Sequence, residues 1–149
     1  MKDLRHFNMC GKLELMSVQE ELLVLEKLKK KGIGVALATN PIFPQAATIS
    51  RIGWAGLNPA DFDMVTTYEN SCFSKPNLAY YRDLLSRLGR RAEECLMVGN
   101  DVSEDMVAEK LGMKVFLLTD CLINKKNADI SACPQGSFRQ LVDYIETLR

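Results

Sequence analysis

Three groups of residues in this 149-residue chain have types and spacing that could do chemistry: Thr39-Asn40, Lys75-Pro76-Asn77, and Asn100-Asp101 with Glu104 and Asp105. The third is the most informative. It directly follows Cys95-Leu96-Met97-Val98-Gly99, a short apolar run that reads as a buried strand. In open α/β sheets, ligands bind at the carboxyl ends of the strands. Carboxylates crowded onto one turn repel each other unless positive charge sits among them, and oxygen-rich clusters of this kind suit Mg²⁺. That points to phosphate chemistry. Thr39 and Asn40 follow another apolar run and offer a hydroxyl and an amide that can hydrogen-bond a phosphoryl oxygen. Lys75 can neutralise phosphate charge as a point cation. Taken singly, each has a plainer explanation: Thr39 or Asp101 as a helix cap, Lys75 as a surface lysine.

The elements that must hold these positions are legible in the apolar pattern. Residues 1–16 show no clear period. Ser17 and Glu20 form a capping-box pattern for a helix whose Val18, Leu22, Leu25 and Leu28 make one apolar face, stopped at Gly32. Ile33 to Ala38 reads as a buried parallel strand ending in the polar turn Thr39-Asn40-Pro41. A helix is expected over 44–54, with Ala46, Ala47, Ile49, Ile52 and Trp54 as its apolar face, then a strand around Met64-Val65-Thr66. Pro76 suits the first turn of a helix over 77–88, which carries Leu78, Tyr81, Leu84, Leu85 and Leu88 and closes at Gly89. A strand at 95–99, a helix at 103–111, a strand at 114–119 and a loop at 120–136 follow. A last helix from Ser137 bears Phe138, Leu141, Val142, Ile145 and Leu148. This alternation implies a parallel sheet covered by helices.

Bulk composition bounds the rest. The length suits one domain with a sizeable core. Lys+Arg and Asp+Glu are both 19, so no net charge draws the chain to nucleic acid or an anionic membrane. The basic run Lys27 with Lys29-Lys30-Lys31 is expected to complement a helix C-terminus. Five cysteines without a CxxC pair argue against a disulfide framework and a zinc site. A cytoplasmic setting is expected from that usage, with Cys95 buried and inert. No apolar run is long enough for a transmembrane helix, and the opening residues do not read as a signal peptide.

The ordered set Leu37-Ala38-Thr39-Asn40, Ser74-Lys75-Pro76 and Val98-Gly99-Asn100-Asp101 with Asp105 resembles the second, third and fourth motifs of the haloacid dehalogenase-like (HAD) hydrolase superfamily. The resemblance implies a Rossmann-like three-layer α/β sandwich and a Mg²⁺-dependent phosphatase of small phosphorylated metabolites. In such an enzyme an Asp on the first strand attacks the phosphoryl group to give an aspartyl-phosphate, and a second Asp two residues later serves as general acid and base. Carried over, Thr39 and Lys75 are catalytic and, with Asn40, bind substrate. Asp101, Asp105 and Asn100 are the metal candidates, with Asn100 standing where many relatives have Asp. The domain division implied is a segment 1–16, a remnant of a cap, and a partial core over 17–149.

The first motif is absent as an Asp-x-Asp: upstream there is only Asp3. The expectation is therefore a truncated sandwich whose first, central strand is missing and whose chain is inactive alone. One of three outcomes is expected: the sequence is a fragment or mis-started version of a longer protein, residues such as Leu13-Glu14-Leu15-Met16 fill the gap, or the strands at 33–38 and 95–99 close on each other directly; exposed edges would favour a homo-oligomer. The alternative reading is a non-catalytic binding or oligomerisation domain on the same scaffold. A receiver-like regulatory domain fits less well, because the early acidic pair is missing there too. His6 is expected at the surface, Tyr80-Tyr81 half in the core and half out, and Trp54 and Phe43 packed on a neighbouring helix. Cys72 and Ser74 lie near Lys75 with no base to activate them.

Overall fold

A computed structural model describes the backbone of residues 6–9 and 18–148, with side chains from 22 to 148. One parallel sheet organises the chain, in the order β3-β2-β1-β4-β5-β6. The strands are β1 (His6–Met9), β2 (Gly34–Leu37), β3 (Met64–Val65), β4 (Cys95–Gly99), β5 (Lys114–Leu118) and β6 (Gln135–Gly136). Among the described residues, four α-helices connect and cover them: α1 (Val18–Lys30), α2 (Gln45–Trp54), α3 (Leu78–Leu88) and α4 (Phe138–Thr147). The chain thus has the helix-covered parallel sheet that its alternating pattern implies, and the Rossmann-like α/β sandwich that the resemblance implies.

The strand expected to be missing is present. β1 lies at the centre of the sheet, with His6 to Met9 paired to Gly34 through Leu37 on one side and to Cys95 through Val98 on the other. No interior gap remains for β2 and β4 to close across. A homo-oligomer built on unpaired interior edges therefore loses its premise. The outer strands β3 and β6 are only two residues long, and short edge strands are poor templates for pairing with another chain. The segment Leu13 to Met16 and the Ser17 cap lie outside the described residues.

Side chains alternate between the two sheet faces, and each face has its own core. Leu96 and Val98 of β4, with Val35, Leu37, Phe116 and Leu118, pack against Leu25 and Leu28 of α1 and Phe138, Leu141 and Ile145 of α4. Cys95 and Met97, with Val115, pack against Tyr80, Tyr81, Leu84 and Leu85 of α3. α4 starts where its sequence places it: Ser137 and Gln140 form a reciprocal capping box. Gly89 ends α3 in the left-handed region at φ 62°, which costs a glycine little. The basic end of α1 does more than complement a dipole. Lys29 bonds Asp61 at 2.6 Å, Lys27 pairs with Glu146, and Lys31 donates to the Leu148 carbonyl at 3.0 Å.

Three other expectations change. α2 buries Thr48 and Ile52, while Trp54 is 78% exposed and Ile49 is also exposed; its proposed apolar face is mostly the outer one. Residues 103–111 form hydrogen-bonded turns and a 3-10 helix over Met106–Leu111 rather than an α-helix. The stretch read as loop at 120–136 contributes β6.

The apolar contact of α4 with the sheet carries much of the first core. Phe138 and Leu141 are essentially unexposed. Leu141→Ala is expected to cost about 2–5 kcal/mol, read as a lowered urea midpoint with an unchanged m-value.

Candidate active site

Parallel β2, β3 and β4 end on the same edge of the sheet, and each is followed by a polar turn. Thr39-Asn40 follow β2, Thr66-Thr67 follow β3, and Asn100-Asp101 follow β4. Lys75 reaches this edge from the connection before α3. That helix begins at Leu78, with Asn77 capping it by accepting from the Ala79 amide at 2.9 Å. Pro76 therefore precedes the helix rather than starting it.

Lys75 and Asp105 meet in the interior. Lys75 Nζ lies 2.7 Å from Asp105 Oδ1, and the two side chains are 0% and 1% exposed. Asp105 Oδ2 accepts from the amides of Asn100 at 3.1 Å and Asp101 at 3.0 Å. Both oxygens are thus engaged, which is the condition under which a buried pair is tolerable. Gly99 makes the approach possible: a methyl there would occupy the space of the Asp105 carboxylate.

Asp101 shapes the turn itself. Its Oδ1 accepts from the amides of Ser103 at 2.8 Å and Glu104 at 3.0 Å. The buried Asn100 donates through Nδ2 to the Cys121 carbonyl at 2.8 Å, and Ile123 exchanges backbone bonds with Asn100 and Val102. The loop after β5 is stitched to the acidic turn in this way. Glu104 is half-buried beside it. Burial, then the charges of Asp101 and Asp105, raise its carboxyl above the ordinary range.

Thr39 is half-buried. Its hydroxyl donates to the Thr66 carbonyl at 2.9 Å, so it must turn before it can donate to a phosphoryl oxygen. Asn40 Nδ2 lies 3.5 Å from Glu104 Oε1, while its Oδ1 is buried with no hydrogen-bond partner. Thr39, Asn40, Lys75, Asp101 and Asp105 therefore gather at one edge, as their spacing suggests.

Whether a cation suits this edge turns on donor chemistry. Among the described residues, no three His, Cys, Asp or Glu side chains converge on a common point. Mg²⁺ does not require that; it is often held by one or two carboxylates, with waters and substrate phosphate completing the octahedron. Here Glu104 feels the charges of Asp101 and Asp105, offset in part by Lys75 and Lys125, and Asn40 Oδ1 is buried with no hydrogen-bond partner. The donors are all oxygen and the balance is negative, so their chemistry fits such a cation. Asn100 and Asp105 are the less available of the expected ligands, being tied to Cys121 and to Lys75.

Several residues of this edge escaped the sequence reading. Tyr80 and Tyr81 are 2% and 0% exposed, not half at the surface. Glu104 counted only as extra charge, and Thr66 only as the end of a strand. The largest omission is β1 itself. Its residues Phe7-Asn8-Met9, followed by Cys10 and Gly11, carry polar residues at the spacing of an Asp-x-Asp, with neither carboxylate present. Asn8 pairs with Ala36 and Met97, near the strand end; Cys10 is outside the described residues. The Trp54 and Phe43 side chains line a shallow groove with Arg51 on the outer side of α2. Cys95 is buried and its thiol is pushed up to about 12 by desolvation, which suits an inert core cysteine. No helix among the described residues is long and apolar enough to cross a membrane.

Comparison with known proteins bears on the same residues. The family model for a haloacid dehalogenase-like hydrolase matches residues 20–112. A ribulose-1,5-bisphosphate 5-phosphatase of Halopiger xanaduensis is 30% identical over 137 residues, covering 91% of this chain and 55% of its own length. A glyceraldehyde 3-phosphate phosphatase of Methanocaldococcus jannaschii is 30% identical over 128 residues, covering 84% of this chain and 54% of its own. The chain thus spans about half the length of these curated relatives. An uncharacterized protein from Listeria monocytogenes serotype 4b superposes with a TM-score of 0.76 at 16% identity, over 96% of this chain and 97% of that one.

Two outcomes follow from the geometry. Lys75→Met leaves Asp105 buried without its cation and is expected to cost about 3–5 kcal/mol, measured by urea denaturation at pH 7. Glu104→Gln is expected to stabilise the metal-free protein at pH 7. The raised carboxyl binds its proton more tightly folded than unfolded, so the ionised form is a liability above the unfolded value of about 4.3. The gain in urea midpoint should shrink as pH falls toward 4; a gain that persists at pH 4 would contradict this.

Proposed function

From the chain's membership in the haloacid dehalogenase-like hydrolase family, we propose that it provides the phosphate-recognising side of a phosphatase site for small phosphorylated metabolites, and that it does not turn substrate over by itself. The observation that carries the reading is the buried Lys75–Asp105 pair set at the strand edge beside Thr39 and Asn40. A phosphoryl group carries two negative charges at neutral pH or nearly so. Lys75 is the cation nearest to hand, held in place by Asp105 at 2.7 Å, and its ammonium is the point charge that would face a phosphoryl group. The Thr39 hydroxyl and the Asn40 amide lie beyond β2, where phosphoryl oxygens would sit. Positioning and charge neutralisation are most of what phosphoryl transfer asks of a protein.

Mg²⁺ would be held by Asp101, with Glu104 and the orphaned Asn40 oxygen nearby and Asp105 orienting from behind. Bound there, it would offset the excess of carboxylate and polarise the phosphoryl oxygens. Without it, Asp101 and Glu104 would face a phosphate dianion with like charge. Phosphate affinity should therefore depend on the cation.

The reading of no turnover rests on β1. Aspartyl-phosphate formation needs a carboxylate at the end of the central strand, and no Asp or Glu lies between Asp3 and Glu14. The amide of an asparagine is not a nucleophile toward phosphorus, and nothing else described at this edge is an activated one. The curated relatives' printed names point to phosphorylated sugars as the substrate class.

Isothermal titration of the chain with inorganic phosphate, with and without Mg²⁺, tests both halves. Millimolar or tighter binding that requires Mg²⁺ and is lost in Asp101→Ala is the expected result, together with no hydrolysis of p-nitrophenyl phosphate. Robust hydrolysis abolished by Asp101→Ala overturns the claim of inactivity. Absence of phosphate binding in Mg²⁺ overturns the site.

A further inference from the structure

Two consecutive tyrosines of α3 reach two different loops of the candidate site. The Tyr80 hydroxyl donates to the carbonyl of Thr39 at 2.7 Å. The Tyr81 hydroxyl donates to the carbonyl of Glu104. Thr39 belongs to the turn after β2, and Glu104 to the acidic turn after β4. The rings meet edge to face, 5.0 Å between centroids at 89°, and both are buried. Lys75 Nζ stands 5.8 Å from the centre of the Tyr80 ring, within reach of a cation–π attraction. The Tyr80 hydroxyl also lies 3.2 Å from that of Thr66, which in turn contacts Thr39.

We propose that Tyr80 and Tyr81 are positioning residues that fix the spacing between the phosphate-contacting turn at Thr39-Asn40 and the acidic turn at Asp101–Asp105. Neither hydroxyl touches a reacting group; each holds a carbonyl of a loop whose side chains would. A phenol can bury its ring in the core and still spend its O–H on a backbone acceptor. The carbonyls of Thr39 and Glu104 would otherwise lose a strong partner in a poorly solvated place. The T-shaped contact locks one ring by the other, so the two hydroxyls move together. The Lys75 ammonium, drawn to the face of Tyr80 and to Asp105, sits between the two clamped turns. The effect on phosphate rests on the proposed function above; the effect on the loops does not.

The test uses Tyr80→Phe and Tyr81→Phe, which keep the rings and their packing. Amide hydrogen exchange of the ligand-free chain is read residue by residue. Tyr81→Phe should speed exchange about tenfold at Asp101, Ser103, Glu104 and Asp105, with residues 37–40 unchanged. Tyr80→Phe should do the reverse, speeding residues 39–40 and 66–67. Phosphate titrated in the presence of Mg²⁺ should bind about fivefold to tenfold more weakly to each variant while the melting temperature stays within about 3 °C. Unchanged exchange at both loops, or equal acceleration throughout the chain, overturns the clamp and leaves the tyrosines as core packing. Selective loosening with undiminished phosphate affinity in the variants overturns the positioning role. If the unmodified chain binds no phosphate, the proposed function fails, and the exchange data still decide whether the clamp exists.

Discussion

Burying the charge of Lys75 constrains everything at the upper edge of the sheet. An ammonium with no exposure must have a counter-ion, and that counter-ion must be fully hydrogen-bonded in its turn. Asp105 meets the requirement by taking two backbone amides from the start of its own loop. The loop folds back around one carboxylate as a result, and Gly99 is the residue that permits it. Asp101 accepts from the amides of Ser103 and Glu104, and a 3-10 helix follows from Met106. The shape of the acidic turn follows from satisfying a buried charge.

Much of this was legible in the sequence, and the misses have physical causes. β4 and β5 read clearly because a strand covered on both faces is a continuous apolar run. α4 read clearly because its cap and its 3.6-residue stripe agree. The edge residues Thr39, Lys75 and Asp101 could be placed because each follows or precedes such an element. β1 could not be read. Its four residues, His-Phe-Asn-Met, alternate too briefly to give a period; only neighbours on both sides identify it as central. β6 is shorter still. Trp54 misled because a large aromatic at helical spacing suggests a buried face, yet it is the smaller Thr48 and Ile52 that α2 turns inward. Tyr80 escaped because two adjacent aromatics on a helix cannot both lie on one stripe. The second core, under α3, is wide enough to take both.

The site is asymmetric in charge. Carboxylates crowd the turn after β4, one buried lysine answers them, and the central strand between the two clusters carries a neutral amide at Asn8. Under the proposed function, a cation and a phosphate held together at such an edge would each make the other tolerable. The raised carboxyl of Glu104 and the unpartnered oxygen of Asn40 are two separate signs of the same excess of acceptors.

Neighbouring residues on an α-helix point about 100° apart. Tyr80 and Tyr81 use that angle to serve two loops from a single turn, so the angle acts as a fixed calibre. A single residue inserted between Asn77 and Tyr80 would swing both hydroxyls away from their carbonyls at once, and no small adjustment could restore one without losing the other. Length changes therefore have few places to go. The turn at Asn124–Ala128 faces solvent and can absorb them. The run from Lys75 to Tyr81 cannot, and its length is as much a part of the site as its side chains.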